Sequence, residues 1–191
     1  MRRRLVAENP AAHEAGLALS LDTLSSRLGE VGRAEDRLAA VEEAVAIYRR
    51  LVAANPAAHE ADLAASLNNL SNSLAGVGRG EDMLIAIVEA VELQRRVTAA
   101  DPANEAGLAT NLNNLSDRLA ERGRSAEGLD AAREAVTVRR RLADANPAAF
   151  RAPLSRSLIT LAARLEEVGR LPEADQARAE AADLGRPPTP G

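Results

Sequence analysis

The 191-residue sequence predicts an all-α fold, an α-solenoid of four antiparallel helix hairpins repeating with a period of about 46 residues. Three observations predict it. Ala (42 residues) and Leu (26) supply most of the 46% apolar content, while aromatic residues make up 1%. That is the composition of packed helices rather than of sheets. An Asn-Pro or Asp-Pro pair recurs at Asn9-Pro10, Asn55-Pro56, Asp101-Pro102 and Asn146-Pro147, its prolines 46, 46 and 45 residues apart. Between these marks a Gly-Arg pair recurs at Gly32-Arg33, Gly78-Arg79, Gly123-Arg124 and Gly169-Arg170.

Residues 1–9 align with the end of a repeat's second helix, because Arg3-Arg4-Leu5-Val6-Ala7 matches Arg49-Arg50-Leu51-Val52-Ala53. They are read as the tail of a preceding repeat. The four repeats then occupy 10–55, 56–101, 102–146 and 147–185, with a Pro-rich tail at 186–191, the whole forming one solenoid domain. Each repeat's first helix starts at its proline, which supplies a helical φ at a position whose N–H is not needed, and the preceding Asn or Asp caps the first amides. Each Gly-Arg forms a tight turn, because glycine accepts the left-handed conformation that ends a helix. The acidic residues that follow (Glu35-Asp36, Glu81-Asp82, Glu127, Glu173) suit the positive end of the second helix.

Apolar spacing places a stripe on each first helix, through Leu63, Leu67, Leu70 and Leu74 in the second repeat and Leu108, Leu112, Leu115 and Leu119 in the third. The second helices carry Leu38, Val41 and Val45, or Leu84, Ile87 and Val91, and share a small residue at Ala44, Ala90, Ala135 and Ala181, where close helix crossing requires one. The residue missing from the third repeat lies between Pro102 and Leu108. The last helix, from about Pro172 to Leu184, is shorter and more polar and serves as a cap.

The same composition excludes several function classes. All 24 basic residues are Arg, so lysine chemistry is excluded, and the absence of Cys removes disulfides, thiol nucleophiles and zinc–thiolate sites. The net charge of −4 is the opposite of a nucleic-acid footprint. No run reaches the roughly 18 apolar residues of a membrane span, and the N-terminus lacks a signal core. These features predict a cytoplasmic protein without nucleic-acid or membrane partners. His13 and His59 sit where Phe150 sits in the fourth repeat, which marks a packing position rather than a ligand. No metal-ligand spacing or activated nucleophile is present, so the sequence predicts no catalytic residue, no metal, no cofactor and no enzyme activity.

Within each unit the residues resemble the 34-residue motif of the tetratricopeptide repeat family. Leu67, Leu70, Ser71, Leu74, Gly78, Met83, Ile87 and Ala90 fall on its signature positions, as do Leu158, Leu161, Ala162, Leu165, Gly169, Ala174 and Ala181. The segment Ser66-Leu67-Asn68-Asn69-Leu70-Ser71, echoed by Asn111-Leu112-Asn113-Asn114-Leu115-Ser116, is similar to the longer repeats of kinesin light chain and of bacterial signalling proteins. Departures are the longer period, Arg37 and Gly128 at a position that is usually Ala, and Leu in place of signature aromatics.

The resemblance implies a right-handed superhelix that binds a peptide or protein segment in a concave groove. Carried over residue by residue, that groove holds Asp22, Ser26, Asn68, Asn72, Asn113, Asp117, Arg156 and Ile159. Two roles stand open for Asn68 and Asn113: holding a ligand backbone with the carboxamide, or packing between repeats. The groove so drawn is polar and nearly uncharged. It lacks the basic pair with which some relatives grip a C-terminal carboxylate.

Arg pairs near the ends of the second helices (Arg3-Arg4, Arg49-Arg50, Arg95-Arg96, Arg140-Arg141) read as cations placed against a negative helix end and paired with nearby acids. The leading expectation is a protein-interaction scaffold, the C-terminal part of a bacterial signalling protein. The alternative is self-assembly, as a dimer or a head-to-tail fibre, through an apolar edge at Leu5, Val6, Leu17 and Leu21.

Overall fold

The computed structural model describes residues 10–186, and these form eight α-helices without a strand. The helices are α1 (Pro10–Glu30), α2 (Ala34–Ala54), α3 (Pro56–Gly76), α4 (Gly80–Ala100), α5 (Glu105–Glu121), α6 (Ser125–Ala145), α7 (Pro147–Glu167) and α8 (Leu171–Gly185). The chain divides into two compact units, residues 1–100 and 101–191. The first holds the hairpins α1–α2 and α3–α4, and the second holds α5–α6 and α7–α8. This is an all-α repeat of helix hairpins.

The turns follow one design. Gly32, Gly78, Gly123 and Gly169 adopt φ of 72, 75, 73 and 78°, the left-handed region that glycine enters without strain. The arginine after each glycine turns its backbone N–H back onto a leucine carbonyl five residues earlier: Arg33 to Leu28 at 3.0 Å, Arg79 to Leu74 at 3.0 Å, Arg124 to Leu119 at 2.9 Å, Arg170 to Leu165 at 2.8 Å. The same arginine flanks the start of the next helix, and its guanidinium pairs with the acid three residues on. Arg33–Asp36 (2.7 Å), Arg79–Asp82 (2.8 Å), Arg124–Glu127 (2.7 Å) and Arg170–Glu173 repeat the contact four times. The acids therefore serve a neighbouring cation as well as the helix dipole.

Helix starts vary more than their sequences. Asp101 and Asn146 accept from the amides of Ala103 (3.0 Å) and Ala149 (3.2 Å), whereas Asn55 makes no side-chain cap bond. In the third repeat the turn Pro102–Asn104 is 3₁₀, and the α-helix begins at Glu105. One residue is missing there, and tightening the first turn keeps Leu108 and Leu112 in register with the core.

In each unit the leucine stripes are mostly buried, with Leu67, Leu112 and Leu158 at 1% exposure or less and Leu70 and Leu115 half-buried. The small residues at Ala44, Ala90, Ala135 and Ala181 are buried as well, and in the last hairpin the Ser155 hydroxyl donates to the Ala181 carbonyl at 2.9 Å, marking a close crossing. Phe150 packs beside the second unit's cluster of Leu154, Leu158 and Ala177. The paired arginines stitch helices together: Arg50 to Glu14 (2.8 Å), Arg96 to Glu60 (2.9 Å) and Arg141 to Glu105 (3.2 Å) across hairpins, Arg49 to Glu89 and Arg140 to Glu180 (both 2.7 Å) between successive second helices.

Gly128 shows how tightly α5 and α6 meet. A Cβ added there would lie 2.9 Å from the Ser116 carbonyl oxygen, a backbone atom that cannot swing aside. Alanine inside a helix ordinarily gains about 1 kcal/mol over glycine from propensity. Gly128→Ala is expected instead to lose about 1–3 kcal/mol, the usual cost of overpacking, in urea unfolding. A gain would show that the helices do not approach so closely.

Candidate functional site

The predicted groove residues fall into three situations. Asp22 and Asn113 occupy one repeat position and reach toward the next first helix: Ser66 Oγ donates to Asp22 Oδ1 at 3.0 Å, and Asn113 Nδ2 donates to Ser157 Oγ at 2.7 Å. This position therefore ties neighbouring first helices together. Asn68 and Asn72 are half-buried. Ser26 is exposed and its hydroxyl turns back on the Asp22 carbonyl at 3.1 Å, while Ile159, 57% exposed, presents an apolar side chain to solvent.

Three of the eight converge. Asn113, Asp117 and Arg156 line one cleft of about 220 Å³ in the second unit, with Thr110 and Asn114 of α5, Pro153 and Thr160 of α7, and Arg139 of α6. Two first helices form its walls, and a side chain from the second helix between them forms part of its lining. Asp117 is paired with Arg164 at 3.4 Å. Burial raises the Asp117 carboxyl above the ordinary aspartate value, while Arg164 and Arg118 oppose that rise.

Arg139 is the residue the sequence reading missed, and it corrects the picture of a nearly uncharged groove. It is 7% exposed, the one charged side chain among the buried described residues. One guanidinium nitrogen donates to Thr110 Oγ1 at 2.7 Å, and buried Nε has no partner. Burial lowers its pKa, and the like charge of Arg156 lowers it further. A signal was present. Position 139 is equivalent to Tyr48 and Gln94, so the run Arg139-Arg140-Arg141 places a third arginine where the earlier repeats carry a neutral buried residue.

The first unit places opposite charge at the equivalent level. Burial, and then the charges of Asp62 and Asp22, push the Tyr48 hydroxyl up to about 12. Asp22 itself is raised by burial, against the hydrogen bonds it receives from Ser66 and Asn69. His59 stands 3.9 Å from Asp62, and no cluster among the described residues could hold a metal ion.

Of the expected self-association edge, Leu17 and Leu21 are 8% and 4% exposed, because their stripe faces the core, while Leu19 and Leu24 of the same helix are 61% and 48% exposed. Leu5 and Val6 lie outside the described residues. No helix among the described residues is long and apolar enough to cross a membrane.

Comparison with known proteins agrees with this architecture. Residues 17–57 and 108–147 match the tetratricopeptide repeat family. The chain is similar to the nearly identical TPR-like repeats of a kinesin light chain from Podosopora anserina at 15% identity and TM-score 0.64, over 87% of this chain and 74% of that one. It is similar also to BtubC (BKLC) from P. vanneervenii at 18% identity and TM-score 0.63, over 100% and 89%. MamA aligns at 11% identity and TM-score 0.61, over 96% and 84%. No curated protein sequence matches. With these two matching segments, the left-handed glycine turns and small-residue crossings give the described hairpins the architecture of tetratricopeptide-repeat proteins. Repeats of this kind generally mediate protein–protein interaction and are typically not enzymes.

Two substitutions test the electrostatics. Gln94 occupies the place of Arg139 one repeat earlier, so Arg139→Gln fits and removes a buried charge that lacks an acid. It is expected to stabilise the protein by about 1 kcal/mol and raise the melting midpoint by about 2–4 °C. A lower midpoint would show that the charge is compensated. For Asp22, a raised folded pKa means that the folded state holds the proton more firmly, so its contribution is full below the unfolded value near pH 4 and is lost as pH rises through the folded value. Asp22→Asn, the residue found at the equivalent positions 68 and 113, should be more stable than the parent at pH 7 and lose that advantage on acidification. Parallel stability profiles from pH 3 to 7 would contradict this.

Proposed function

We propose that this chain is a protein-interaction module that takes a segment of a partner protein into the polar cleft of its second unit. One observation supports the reading above the rest: Asn113, Asp117 and Arg156, drawn from two first helices, meet around a single open cleft whose lining includes the buried cation Arg139. The cleft offers donors from arginine, asparagine and threonine, and acceptors from carboxamide and carboxylate oxygens. An extended peptide presents the complementary groups along its backbone.

The resemblance of the Asn-Asn segments to long-repeat proteins favours a recruitment part of a bacterial signalling protein working in the cytoplasm. Self-assembly is the second reading: Leu17 and Leu21 are core residues, and the apolar surface it would use is Leu19 and Leu24 of α1.

Panning of a peptide display library against the purified chain tests the reading. Selected peptides should bind with micromolar affinity, about 8 kcal/mol, and Thr160→Trp, which fills the cleft, should abolish binding while Asp144→Trp on the exposed surface of α6 should not. A midpoint near the parent's shows that Thr160→Trp still folds. Peptides that bind equally well to the filled cleft would overturn the assignment.

A further inference from the structure

Arg139 presents a problem that partner binding in general does not solve. A guanidinium at 7% exposure with one neutral hydroxyl as its hydrogen-bond partner carries a large desolvation cost. Most other arginines of this protein are matched: the turn arginines to acids three residues on, the helix-end arginines to Glu14, Glu60, Glu89, Glu105 and Glu180. Arg139 makes no ion pair among the described residues, and the charged group nearest in effect is a second cation, Arg156, on the cleft wall. The cleft's carboxylate, Asp117, is engaged with Arg164.

From this arrangement we infer that the cleft binds a side-chain carboxylate from an acidic segment of the partner protein, held between buried Arg139 and exposed Arg156. The inference rests on the partner-cleft reading and specifies its ligand. Three observations converge on it. Two guanidiniums without acids flank one opening, and their mutual repulsion is relieved by an anion between them. Buried Nε of Arg139 lacks an acceptor, which a carboxylate supplies in the planar geometry a guanidinium favours. On the α5 wall of the same cleft Asn113 Oδ1 is buried without a donor, and a peptide N–H beside the acidic side chain supplies one. An acidic side chain on a peptide thus satisfies both orphaned groups. Asp117 in the lining favours a singly charged carboxylate over a phosphate dianion, because added negative charge is repelled in proportion.

The probe is a fluorescein-labelled, C-terminally amidated peptide carrying four glutamates between glycines, read by fluorescence anisotropy against the full chain. Its glutamine analogue and inorganic phosphate serve as comparisons. The glutamate peptide is expected to bind saturably and the glutamine peptide at least tenfold more weakly. Arg156→Gln should weaken binding about tenfold, the scale of one charge-assisted hydrogen bond, and Arg139→Gln at least as much. Arg122→Gln, which removes an equal charge outside the cleft, should leave binding unchanged.

Equal binding of the two peptides, or equal effects of Arg122→Gln and Arg156→Gln, would overturn the inference by reducing it to general charge attraction. Displacement by phosphate at concentrations similar to the peptide's would overturn the carboxylate assignment in favour of a phosphate site. Library-selected neutral peptides that are lost on Thr160→Trp would leave the partner cleft standing and remove its acidic ligand. If no peptide of either kind binds, both readings fall.

Discussion

A left-handed glycine at each turn sets how the two helices of a hairpin leave one another, and the remaining contacts depend on that angle. The backbone N–H of the following arginine closes on a leucine carbonyl, which brings the last leucine of the first helix beside the start of the second. From there the small residues meet at the crossing, and the stripes of Leu, Val and Ile fall into one core. Without a left-handed turn the two stripes would face apart, and the hairpin would have no interior to bury.

This regularity makes the exceptions informative. The repeat at 102–146 lost one residue, and the loss was absorbed in a short 3₁₀ turn rather than in the core. Gly128 and Arg37 depart from the small alanine expected at their position in different ways: the first allows α5 and α6 to touch backbone, and the second packs its side chain against Gly29. At the position shared by Tyr48, Gln94 and Arg139 the side chains differ in charge. The first two are neutral side chains suited to burial, and the third is a cation without an internal anion.

Much of the fold was legible because its signals are local. Proline and glycine declare helix ends by backbone geometry, and leucine spacing declares a face, so the hairpins could be drawn from residue positions alone. The functional residues were less legible because their roles depend on neighbours a repeat away. Asp22 and Asn113 look like groove residues in sequence, yet in space they bond Ser66 and Ser157 on the adjoining helix. Leu17 and Leu21 look like a bare edge when the first hairpin is considered alone, and are buried. Arg139 was hidden inside a run of three arginines, two of which do what the other helix-end arginines do. Only the phase of α6 shows which one points inward.

The account turns on whether Arg139 is held in reserve for an anion brought by a partner. The most direct measurement follows its guanidinium Nε–H resonance, in protein labelled with ¹⁵N, during titration with an acidic peptide. The account predicts that the resonance of Arg139, assigned through its loss in Arg139→Gln, shifts and saturates together with that of Arg156. If only exposed arginines elsewhere respond, and the Arg139 signal stays fixed at saturating peptide, the buried cation is not the anchor of this interaction and the central claim fails.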